Sequence, residues 1–91
     1  MLNSVIITIK TGCNNIEYDM ELPANIQCKQ LCEKLLSALI NINNENFSPF
    51  DNLSLVVERT GKQVGDDETL EGAEVWDGSI VNVVKRAVSA L

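Results

Sequence analysis

A chain of 91 residues holds one domain, and a domain this size buries only about 60–65% of its unfolded surface, so its apolar segments are needed for a core and leave little for a deep substrate pocket. Thirteen acids against seven bases give a net charge of −6, which repels nucleic acid and anionic membranes, and no basic stripe with interleaved aromatics offsets it. No run of 18 apolar residues occurs, so no direct membrane insertion is expected.

The opening Met1-Leu2-Asn3-Ser4 lacks the basic region and cleavage site of a signal peptide, so the chain is expected to remain cytoplasmic. It reads as a single domain over residues 1–91, with a core from about 4 to 86 and a short tail at 87–91.

Residues 4–10 form a β-branched run in which Val5, Ile7 and Ile9 alternate with Ile6, Thr8 and Lys10, the pattern of a strand. Gly12-Cys13-Asn14-Asn15 supplies turn chemistry. Residues 16–22 alternate again, with Ile16, Tyr18, Met20 and Leu22 facing in and Glu17, Asp19 and Glu21 facing out, and Pro23 closes the second arm of this hairpin.

The period changes from 2 to 3.6 over residues 26–40. Cys28, Leu31, Cys32, Leu35, Leu36 and Leu39 make one helical stripe, with Asn25 as the expected N-cap. In so short a chain that stripe is expected to cover the sheet. The Asn-rich stretch 41–52, with Pro49, reads as irregular loop, pinned to the core edge by Phe47 and Phe50.

Residues 53–59 form a third strand, Gly61 a turn, and Gln63-Val64 a short fourth strand. Residues 66–77 carry six acids and no base, around Leu70, Val75 and Trp76. This run reads as a solvated loop, with a docking surface for a basic partner as the sharper alternative; it lacks the spacing of a calcium loop. Trp76 is expected to pack half-buried beside Val75 rather than act as a binding hot spot. After the Asp77-Gly78 turn, residues 79–85 form the last strand, with Val81 and Val83 facing in and Asn82 and Val84 out. The first and last strands, richest in Val and Ile, are expected side by side at the centre. The sum is an α+β fold: a mixed sheet of four to five strands packed on one helix.

Gly61-Lys62-Gln63-Val64, then Thr69-Leu70, then Ser79-Ile80-Val81-Asn82-Val83-Val84 resemble ubiquitin's Gly-Lys-Gln-Leu turn, its Thr-Leu pair and its final strand. The hairpin ending in Leu22-Pro23 matches as well, so the resemblance spans roughly residues 4 to 86 and implies the ubiquitin-like β-grasp. Among such proteins the chain is similar to the bacterial YukD/EsaB family. The similarity lies in the short N-terminus, the helix running into a polar loop, and the Asp77-Gly78-Ser79 turn. That resemblance implies a cytosolic accessory or regulatory role in type VII (Esx-type) secretion, with secretion components as protein partners.

Two departures from ubiquitin bear on chemistry. The end Val84-Lys85-Arg86-Ala87-Val88-Ser89-Ala90-Leu91 has no Gly-Gly, which conjugation or sulfur carriage needs to enter an adenylating site. The isoleucine and histidine of ubiquitin's recognition patch align with Glu58 and Asn82, while Val84 is kept, so ubiquitin receptors are expected to bind weakly or not at all.

No catalytic, cofactor-binding or metal site is expected. The chain has no histidine to serve as a base near neutral pH, no nucleophile beside an evident base, and no C-x-x-C pair. Three cysteines is an odd number, and Cys28 and Cys32, four apart on a helix, suit a disulfide poorly, so they read as reduced core residues. Cys13 reads as a surface turn residue. The face of the sheet away from the helix is the sharpest candidate for function. By strand parity Ile6, Thr8, Val56, Glu58, Asn82 and Val84 share it, with Ile6, Val56 and Val84 as an apolar spot for a protein partner. Two other readings remain: a small ubiquitin-like structural subunit of a multicomponent enzyme complex, and a modifier or sulfur carrier, which the missing Gly-Gly disfavours.

Overall fold

The computed structural model describes residues 4–11, 17–42, 47–49 and 51–86. The hairpin turn with Cys13, the inward position of Ile16, part of the Asn-rich loop including Phe50, and the tail at 87–91 lie outside the described residues.

Strand β1 (Ser4–Lys10) pairs antiparallel with β2 (Glu17–Pro23), setting Ile7 opposite Met20 and Ile9 opposite Tyr18. Helix α1 (Cys28–Asn41), β3 (Leu53–Val57), β4 (Lys62–Gln63) and β5 (Ile80–Lys85) follow. The sheet order is β2-β1-β5-β3-β4, with β1 and β5 parallel and the other pairs antiparallel. The two Val/Ile-rich strands are therefore neighbours, as their composition predicts. A parallel pair needs a long crossover, and everything from β2 to the Asp77-Gly78 turn serves as one.

The inner face carries Ile7 and Ile9 of β1, Leu53, Leu55 and Val57 of β3, and Val81 and Val83 of β5, all buried. Against them α1 presents Cys28, Leu31, Cys32, Leu35 and Leu39, with Leu36 half-buried at the margin. Phe47, Val64, Leu70 and Val75 close the rim of the core.

The helix starts differently from the sequence expectation. Its N-cap is Gln27, not Asn25, and no side chain caps it. The acidic segment does that work through its backbone. The Glu68 carbonyl accepts from the Cys28 N–H at 2.7 Å and the Asp66 carbonyl from the Lys29 N–H at 3.1 Å. Gln27 also bridges to Thr69, and the Glu71 N–H donates to the Ala24 carbonyl. Orphan N–H groups of a first turn need acceptors, and these carbonyls supply them. The 66–71 stretch is thus structural in its backbone, and two of its carboxylates are engaged as well: Glu68 accepts from the Gly65 N–H at 2.8 Å and Asp66 pairs with Arg86.

Strand β3 ends at Val57 rather than Arg59, because the Gly61 N–H turns back onto the Val57 carbonyl at 2.8 Å, with Gly61 at φ 70°. Strand β4 falls on Lys62–Gln63, one residue before the Gln63-Val64 expected.

Candidate interaction surface

The sheet face opposite α1 is built from alternate residues of β1, β5 and β3. Register sets Thr8 beside Ile80, where the Glu58 N–H donates to the Ile80 carbonyl. One step on, Lys10, Asn82, Val56 and Gln63 form a row, and beyond it Val84 lies opposite Ser54. All six residues singled out in the sequence lie on this face, but they do not make one apolar spot. Ile6 is two residues before the Thr8–Ile80 row and Val84 four residues after it, a separation of about 20 Å along the strands. Between them the Lys10 ammonium crosses β5 diagonally to the Glu58 carboxylate at 2.9 Å. That contact holds the Lys10 pKa above its ordinary value.

The face therefore has two ends. At one, Val84 (48% exposed) and Val56 border a shallow hollow of about 420 Å³ with Ser54, Gln63, Lys85 and Arg86. Ser54 is buried because Arg86 folds over it, donating from Nε to its hydroxyl at 2.6 Å, while the Gln63 amide approaches at 3.4 Å. Arg86 also forms a two-pronged pair with Asp66, and Lys85 pairs with Asp51 at 3.6 Å.

At the other end is the turn 76–79. The Trp76 N–H donates to the Ser79 hydroxyl and the Ser79 N–H to the Trp76 carbonyl. Asp77 Oδ1 accepts from the Ile6 N–H and the Gly78 N–H donates to the Ile6 carbonyl, each at 2.8 Å. Trp76 is 57% exposed and Ile6 56% exposed. This corrects the expectation that Trp76 packs half-buried: Val75, whose N–H bonds back to the Leu70 carbonyl, takes the inward place, and the next residue points to solvent. Trp76 and Ile80 line a hollow of about 330 Å³ with Glu58, Arg59 and Asp77. The sequence expectation weighed Trp76 as a hot spot but favoured packing beside Val75, and it left Ile80 out of the patch. Ile80 shares the parity of Asn82 and Val84 and was legible; Trp76 sits in a turn, where no periodicity applies.

Gly78 anchors this end at φ 87°, with open space where a Cβ would go. Its replacement by alanine therefore adds strain without a clash, and thermal unfolding is expected to report a loss of about 1 kcal/mol.

Asp66 offers a pH-dependent check. The Arg86 hydrogen bond holds its carboxyl below the ordinary value of 3.8. A depressed folded pKa stabilises the native state above the unfolded value, and that gain is lost as pH falls through the folded value. Wild type is thus expected to melt above Asp66→Asn at neutral pH, with the two melting curves converging in acid.

The sulfur atoms of Cys28 and Cys32 are 3.7 Å apart in the core. Contact with Cys28, reinforced by burial, pushes the Cys32 thiol well above an ordinary one, so it stays neutral and a poor nucleophile. Among the described residues no group of three or more His, Cys, Asp or Glu is placed to hold a metal ion, and no helix is long and apolar enough to cross a membrane.

A family model described as the WXG100 protein secretion system (Wss) protein YukD matches residues 4–83. The chain belongs to the YukD family. Solved structures place the fold among ubiquitin-like domains. The EccD5 ubiquitin-like domain of Mycobacterium xenopi superposes with a TM-score of 0.74 at 14% identity, over 94% of this chain and 98% of that one. The ubiquitin-like domain of ECCD1, a type VII secretion system protein of Mycobacterium tuberculosis, gives 0.70 at 19%, over 89% and 97%. A chain of the MycP5-free ESX-5 inner membrane complex gives 0.70 at 17%, with 98% of this chain covering 22% of that one. No curated protein matches the chain. This YukD-family chain keeps the ubiquitin-like sheet, and its own outer face is split, with Glu58 and Lys10 joined across the middle.

Proposed function

We propose that this YukD-family chain is a non-catalytic docking subunit of a WXG100 secretion machine, working on the cytoplasmic side and holding protein components of that machine against its outer sheet face. The family match over residues 4–83 carries this reading. The surface proposed for contact contains Ile6, Thr8, Val56, Glu58, Asn82 and Val84. Support comes from the fold's occurrence as part of a longer chain in an inner membrane complex. Chemistry points the same way: the sequence has no histidine to act as a base near neutral pH. Deletion of the gene is expected to stop release of a WXG100 protein into the medium, with a plasmid copy restoring it. Unchanged release after deletion would refute the secretion role.

A further inference from the structure

We infer that the Ile6–Trp76–Ile80 end of the outer face is a docking site for a basic amphipathic segment of a partner protein. This deepens the docking reading and rests on it. Trp76 and Ile6 are the two most exposed large apolar side chains among the described residues; Trp76 is held in the 76–79 turn by its bonds with Ser79, and Ile6 is tied to the same turn, its N–H donating to Asp77 Oδ1 and its carbonyl accepting from the Gly78 N–H. Ile80 and Trp76 share a hollow that an apolar anchor can enter. Clustered exposed apolar groups with a polar rim mark interaction surfaces, and tryptophan is enriched among residues that carry binding energy.

The rim decides the partner's charge. Glu21 is the direct cross-strand neighbour of Ile6, and Asp19 that of Thr8. Glu74 and Asp77 flank Trp76 in the chain, and both are exposed. Against them stand Arg59 at the hollow and Lys10, which Glu58 already engages. A segment with apolar side chains on one face and lysine or arginine beside them meets both requirements, whereas an anionic lipid or nucleic-acid surface meets the rim with like charge. A second copy docked symmetrically would set Glu21, Glu74 and Asp77 against their own counterparts. Head-to-tail docking would offer Lys85 and Arg86, which already pair with Asp51 and Asp66.

The test uses a labelled amphipathic leucine/lysine peptide of about five helical turns and a leucine/glutamate peptide of the same pattern, read by fluorescence anisotropy against the full chain. The lysine peptide is expected to bind saturably and shift the emission of Trp76 to the blue, and the glutamate peptide to show neither effect. Joint Ile6→Ser and Trp76→Ser substitution is expected to weaken binding about tenfold or more, with Ile42→Ser, an exposed apolar position at the C-terminal end of α1, unchanged. Joint Glu21→Lys and Glu74→Lys substitution is expected to weaken it several-fold and to flatten its dependence on salt. Circular dichroism confirms that each variant is folded. Equal binding of the two peptides, no binding of the lysine peptide, indifference to the Ile6/Trp76 substitutions, or self-association by light scattering would each overturn the inference. Cells separate it from the broader reading: if the Ile6→Ser/Trp76→Ser chain restores secretion fully in a deletion strain that needs the gene, this site is wrong and the docking role stands.

Discussion

Leu35→Ala is expected to lower the unfolding free energy by about 3 kcal/mol, read as a shift of the urea midpoint at unchanged slope. Leu35 is completely buried on the face of α1 turned to the sheet, and it belongs to the core cluster that the described residues form. A domain of this size carries total stability on the order of 5–14 kcal/mol, so the loss is a large fraction of it. Leu36, one residue on, is only half-buried, and Leu36→Ala is expected to cost less than half as much. Equal costs at the two positions would mean that α1 is rotated about its axis relative to this structure.

That contrast also shows what the sequence made legible. Leu31, Leu35 and Leu39 recur at helical spacing, and Ile7, Ile9, Val81 and Val83 at strand spacing, so which face of each element is buried follows from period alone. Neighbourhood of the first and last strands followed from composition, since β-branched residues fit best in central strands flanked by a neighbour at each edge. Interactions that period does not encode were missed. Asn25 has the right side chain for a cap, but carbonyls some forty residues downstream occupy the first-turn N–H groups instead. Ser54 carries no apolar signal, yet Arg86, just past the end of the neighbouring strand β5, buries it. Strand parity placed Ile6 and Val84 on one face correctly, but parity is silent about register. The offset between β1 and β5, which separates those two residues, is set by the turn bonded to Ile6.

That offset gives the second large expected effect. Joint Ile6→Asp and Val84→Asp substitution is expected to leave a folded chain, because both side chains are about half or more exposed, and an aspartate on an exposed strand position costs about 1 kcal/mol or less. The same chain is expected to lose co-purification with secretion components by about tenfold or more, because a charge placed in an apolar contact must be desolvated without a partner. Were the face one continuous patch, the single variants would share the loss. In this structure the Lys10–Glu58 pair stands between them, so the singles are expected to differ. Ile6→Asp adds a negative charge beside Glu21 and Asp77 and removes the anchor of the acidic end, so it carries most of the loss. Val84→Asp falls beside Lys85 and Arg86, where a new carboxylate is tolerated, and is expected to retain most binding. A complete loss from Val84→Asp with Ile6→Asp intact would move the contact to the Val56–Val84 end. Full retention by the double variant would remove the outer face from the mechanism.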